Sequence, residues 1–270
     1  MSIIPPLSES ATSASGSELL PKLGAVYSVN DDVSFGLIYS RGYRPGGSGA
    51  NIIEVLRTGA PEFFTYEAET TDNYEVSFRS QWFKRQLTVN VNAYHIDWKN
   101  QQVSVFGSFG SGLDDTTINN AGASTVQGLE LELNTQLDAF DLYSSIGYSK
   151  TEFDVFVSND SNFSGNEFAR SPNLTASAGG AYSFNNGIYL SANVSYNGDS
   201  WEDNENTIKL PAYTLVNLNM SYELNNYRFF GFVKNLFDKV AVTRISNAGP
   251  LQFSRLREAR QVGVGVEYKF

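Results

Sequence analysis

The chain has 270 residues, with 29 Asp and Glu against 19 Lys and Arg, one His, no Cys and a formal charge of -10. That balance argues against a nucleic-acid partner, because nothing here neutralises a run of phosphates, and the lack of cysteine removes disulfide and thiolate chemistry. No stretch approaches the ~20 consecutive apolar residues of a membrane-spanning helix, which excludes helical membrane proteins but not barrels, whose lipid face hides in alternate positions.

In chain order, residues 1–17 (MSIIPPLSESATSASGS) are rich in Ser, Ala and Pro and lack the basic start and apolar core of a secretion signal. They read as a flexible linker or former loop, so that an exported protein would have its true beginning elsewhere. From residue 18 one unit repeats. Apolar residues hold one parity and polar residues the other, the period of a strand with one apolar face. About eleven such segments are predicted, near 18–30, 32–43, 70–83, 86–106, 119–137, 139–151, 171–184, 187–200, 211–224, 227–239 and 258–270. The fifth sets Leu129, Leu131 and Leu133 against Glu130, Glu132 and Asn134. The ninth sets Val216, Leu218, Met220 and Tyr222 against Asn217, Asn219, Ser221 and Glu223. The last sets Val262, Val264, Val266, Tyr268 and Phe270 against Gly263, Gly265, Glu267 and Lys269.

The connections separate a lipid face from a soluble core. Short turns at 30–32, 84–85, 137–139, 185–187 and 225–226 alternate with long loops near 44–69, 107–118, 152–170, 201–210 and 240–257. Outer-membrane barrels carry this asymmetry, with short periplasmic turns and long extracellular loops, whereas a sandwich needs mixed loop lengths and bulkier residues on its second face. Aromatics gather at segment ends (Tyr39, Trp82, Trp98, Tyr148, Tyr182, Tyr222, Tyr268), as interfacial girdles require. The fold class expected is all-β, a transmembrane antiparallel β-barrel. Its polar face would carry charges of both signs, among them Glu75 and Arg79, expected to pair across the ladder. Leu218→Arg is expected to be damaging and Asn217→Arg tolerated.

Chemistry by side chains is thinly supported. His95 is the single histidine, two residues before Asp97 on one face, without an identifiable second aspartate at the same height; enzymatic function is not expected. One His and no Cys make no transition-metal site. The acidic loop DSWEDNEN (199–206) offers oxygens to a hard cation but lacks calcium-loop spacing, which favours a solvated loop. No cofactor is called for.

An ordered set of motifs then resembles the carboxy-terminal half of a TonB-dependent outer-membrane receptor: SRGYRPGG (40–47), TTDNYEVSF (70–78), LTVNVNAYHIDWKNQQVSV (87–105), NNAGASTVQGLELEL (119–133), LPAYTLVNLNMSY (210–222), VKNLFDK (233–239) and the Phe-terminated last strand. The resemblance covers about residues 18–270 and implies part of a barrel of about 22 strands around a plug. It further implies residence in the Gram-negative outer membrane, a ferric siderophore or similarly scarce nutrient as ligand, and energy from TonB, reached through an amino-terminal region not found in this sequence. Alone, the chain is then expected not to transport. The alternative is a small passive porin or structural barrel. On the resemblance, Arg41, Tyr43 and Arg44 at the base of the first long loop face an anionic ligand, or else they serve as girdle and lipid-headgroup contacts. Phe106, Phe109, Phe163 and Trp201 are loop aromatics that either stack on a ligand or anchor the loops. Phe270, Tyr268 and Val266 form the tail read by the barrel-assembly machinery, and lipid is the remaining partner.

Overall fold

The computed structural model describes residues 17–51, 62–106, 116–158, 161–248 and 251–270. The proposed linker therefore lies outside the described residues, apart from its last position. Among the described residues eleven long strands form one antiparallel sheet in chain order: β1 (Lys22–Asn30), β2 (Val33–Arg44), β3 (Glu69–Trp82), β4 (Leu87–Phe106), β5 (Thr116–Leu137), β6 (Phe140–Val155), β7 (Leu174–Ser183), β8 (Ile188–Asn197), β9 (Tyr213–Leu224), β10 (Tyr227–Lys234) and β11 (Gln261–Tyr268). All eleven expected segments are present.

Register explains why alternation produces two faces. Leu37, Val76, Ala93, Leu129, Tyr148 and Leu174 are successive cross-strand partners from β2 to β7. Ser34, Arg79, Asn90, Glu132, Ser145, Ser177 and Ser195 form the corresponding polar row. A slip of one residue in any strand would carry polar groups into the apolar row, so the pattern fixes the pairing. The apolar face has no covering layer: Leu37 is 58% exposed and Val264 86%. A soluble sandwich would bury it. The buried apolar cluster lies elsewhere, at the loop end, where Val103, Val105 and Ala121 meet Phe153, Phe156 and Phe163.

The two ends of the sheet differ as the sequence implies. Tight turns close one end, with Asp138 and Asn225 in the left-handed region (φ 48° and 54°), a conformation Asn and Asp tolerate well. At this end Phe140 and Tyr182 rings stand 4.3 Å apart, Tyr182 and Phe184 4.4 Å, Tyr227 and Tyr268 4.9 Å, and Tyr268 and Phe270 5.1 Å, forming an aromatic belt. At the other end the long connections carry hairpins of their own, 47–51 with 62–66, 200–201 with 209–210, and 242–248 with 251–256, which alternation does not reveal. The outer strands β1 and β11 both run from the loop end to the turn end, so they cannot pair antiparallel with each other.

Two expectations need correction. Trp98 is not a girdle residue: it stands on the polar parity, partnered by Thr71 and Ser124, and packs edge-on against Phe168 at 6.3 Å. Glu75 and Arg79 do not form ion pairs among the described residues, because register sets Ile38 and Tyr94 beside Glu75, and Ser34 and Asn90 beside Arg79. Arg79 donates instead to the carbonyls of Phe78 and Val91, each at 3.2 Å.

Candidate ligand site at the loop end of the polar face

The segment VKNLFDK leaves β10 through a turn held by one side chain. Asn235, 4% exposed and at φ 50°, accepts from the Lys239 N–H (2.8 Å) and donates to the carbonyls of Lys239 (3.0 Å) and Glu258 (3.1 Å). Its own N–H donates to Asn217 Oδ1 (2.9 Å), whose amide donates to Asn193 Oδ1 (2.7 Å). Asp238 accepts from the Arg260 N–H at 2.8 Å. The turn thereby ties β8, β9 and β10 to the chain entering β11. Asn217 belongs to this network, so its replacement by Arg breaks two bonds, contrary to the tolerance expected from alternation alone.

Above the turn is a cavity of about 510 Å³, lined among others by Asn217, Lys234, Thr243, Arg255 and Arg257. Three cations face one carboxylate, Glu258, in a chain whose formal charge is -10. None of the three makes an ion pair among the described residues; Arg257 donates to the Tyr213 hydroxyl (3.2 Å) with its guanidinium 5.7 Å from the ring. Cations left without carboxylates at a rim make an anion site. Sequence reading passed over these residues, although the density of arginine in FSRLREAR (253–260) was a usable signal.

The residues singled out from sequence do not converge. Arg41 stands on the apolar parity and is held by Asp72 through two bonds (Nε–Oδ1 2.8 Å, Nη2–Oδ2 2.9 Å), with Tyr39 also donating to Asp72 (2.7 Å). Arg44 lies on the opposite face, 3.7 Å from Glu69, while Tyr43 shares the parity of Arg41. Phe106 ends β4 and Phe109 lies outside the described residues. Phe163 is 3% exposed in the loop-end cluster, an anchor. Trp201 lies under Lys209 (5.4 Å), which pairs with Asp199 (2.6 Å). That hydrogen bond holds the Asp199 carboxyl below its ordinary range and raises the Lys209 ammonium.

His95 bonds Asp97 (3.0 Å), and Asp72 does stand directly across from Asp97, but Arg41 and Tyr39 occupy it. In the acidic loop Asp203 caps the N–H groups of Thr207 and Ile208, and Glu202 acts as a clamp. Glu202 is 7% exposed; it accepts from Arg170 Nη1 (2.8 Å) and the Ile245 N–H (3.0 Å), with Arg244 at 3.9 Å. Three long loops meet on this one carboxylate.

An antiparallel meander with an uncovered apolar face, aromatic belt, tight turns at one end and hairpin-bearing loops at the other is the wall of an outer-membrane β-barrel. Residues 5–236 match the family described as TonB dependent receptor-like, beta-barrel, and the chain belongs to that family. Over 129 residues, 47% of this chain and 17% of the relative, it is 30% identical to the ferrioxamine receptor of Yersinia enterocolitica. Its fold matches the ferric yersiniabactin uptake receptor of Yersinia pestis (TM-score 0.75, 22% identity, 93% of this chain and 37% of that one). It also matches the siderophore receptor PiuA of Acinetobacter baumannii (TM-score 0.72, 19% identity, 92% and 35%). The chain thus spans little more than a third of these solved receptors.

Proposed function

We propose that residues 18–270 are the carboxy-terminal wall of an outer-membrane receptor for a ferric siderophore or similar scarce metal chelate, driven through TonB, with residues 1–17 a linker or former loop. In this reading the apolar face meets lipid, the polar face lines the lumen and the hairpin-bearing loops face outward. Relatives named as receptors for ferrioxamine and ferric yersiniabactin support it. The observation that carries it is the cavity of Lys234, Arg255 and Arg257, set where an incoming chelate would enter the lumen. Of the residues first singled out, Trp201 is the one tied to this cavity, through its neighbour Glu202 and Ile245. In the test, the refolded chain is titrated in detergent with a panel of ferric chelates and their iron-free chelators. Saturable binding of at least one ferric form is expected, with loss in the Lys234→Gln, Arg255→Gln, Arg257→Gln triple variant. Folded chain that binds none of the panel overturns the proposal.

A further inference from the structure

The polar parity of β10 reads Arg228, Phe230, Phe232, Lys234. Two phenyl rings on this face are out of place by composition, since their cross-strand neighbours on β9 are Ser221 and Asn219. Glycine makes room for them. A Cβ added at Gly263 would lie 2.4 Å from Phe232 Cζ, and one at Gly265 2.4 Å from Phe230 Cζ, so each ring lies across β11 with glycine beneath it. Both rings remain half-exposed. The strip is capped by cations at each end: Lys234 Nζ is 5.6 Å from the Phe232 centroid and Arg228 Cζ 5.8 Å from that of Phe230. Arg228 is neutralised by Glu267 (3.1 Å), whereas Lys234 has no carboxylate partner among the described residues and also lines the basic cavity. The cavity is therefore continuous, through Lys234, with an aromatic strip that runs about 20 Å down the wall, six residues at ~3.3 Å each.

A ligand that used both features would carry negative charge for Lys234, Arg255 and Arg257 and flat π faces for Phe232 and Phe230. We infer that the cavity and strip select an anionic ferric chelate whose iron is held by aromatic oxygen donors, of catecholate or phenolate type, over hydroxamate chelates that have no rings. This rests on the receptor reading above and narrows it. The competing account, that the rings merely fill the gap over Gly263 and Gly265, predicts no dependence of ligand choice on them.

The experiment compares two probes on the refolded 270-residue chain: the ferric tris-catecholate of 2,3-dihydroxybenzoate and a ring-free ferric tris-hydroxamate. The catecholate should bind at least tenfold more tightly. Phe230→Leu with Phe232→Leu, which keeps the glycines covered by apolar side chains, should lower catecholate affinity about fivefold and leave the hydroxamate unchanged. Lys234→Gln should cost about tenfold, the factor equivalent to 1.4 kcal/mol, and should weaken the salt dependence of binding. Circular dichroism and heat-modifiable gel mobility establish that each variant is folded. Equal or tighter hydroxamate binding, or an unchanged ratio in the double Leu variant, overturns the choice of class while leaving a chelate receptor standing. Binding of neither probe nor any chelate of the wider panel removes both.

Discussion

Asn235 shows how much one residue carries. It occupies a left-handed backbone position that Asn adopts more readily than most residues, and its side chain makes three bonds to the two chain segments that must meet there. Asn235→Ala should cost roughly 2–4 kcal/mol, about one per lost bond plus the penalty for φ > 0; urea unfolding in lipid vesicles measures it, and a cost below about 0.5 kcal/mol would contradict the network. The Asp199–Lys209 pair makes a prediction in pH. Asp199 is depressed by its bond from Lys209, so the pair's contribution holds above the ordinary carboxylate range and is lost as pH falls through the lowered value; Lys209, raised by the same bond, loses its contribution only as pH climbs through its raised value. With Trp82 and Trp98 replaced by Phe, Trp201 fluorescence should be flat between these limits and change in acid. A transition near neutral pH would exclude this pair as its source. The sequence showed VKNLFDK as a family signature without showing its task, because the partners of Asn235 lie 18 and 23 residues away. Arg41 was misplaced for a related reason: parity alone puts it among Phe35, Leu37 and Tyr39, but its position at a loop base drew attention to charge first.

At the scale of strands, Leu218→Arg should cost about 2–4 kcal/mol near the midplane, and the matched lumen control is Asn219→Arg, since Asn217 is committed to Asn235 and Asn193. Asn219 offers only a 3.4 Å bond to Ser191. Equal damage from both substitutions, read by refolding into vesicles, would refute the assignment of faces. Between β10 and β11, Gly263→Ala should be damaging alone and largely rescued by Phe232→Leu, a coupling that a double-mutant cycle reads directly; additive effects would mean that the ring does not lie across the strand in solution. All eleven strands were legible because a period of two survives every local irregularity. The loop hairpins were not, since they are short, polar and held by contacts distant in sequence, such as Glu202 to Ile245 across 43 residues. The basic cavity was hidden likewise, its cations coming from β10 and from a hairpin more than twenty residues on.

For the whole molecule, the tail is proposed to act in assembly. Phe270 is fully exposed beside Tyr268 at the turn end, so its removal forfeits little packing. Deleting it from a signal-bearing, full-length parent should sharply reduce outer-membrane abundance in cells while detergent refolding stays nearly unchanged; equal abundance would leave the tail as lipid contact alone. The Glu202 clamp reaches further. Arg170, Glu202 and Ile245 come from three loops that would otherwise each have to be immobilised when a ligand docks, and immobilisation is charged to binding as lost conformational entropy. Fastened in advance, the loops move as a single body. Ligand capture then resembles closing one door instead of gathering three curtains, and calorimetry of Glu202→Ala should show it: a binding entropy that turns less favourable while the enthalpy of contact hardly changes.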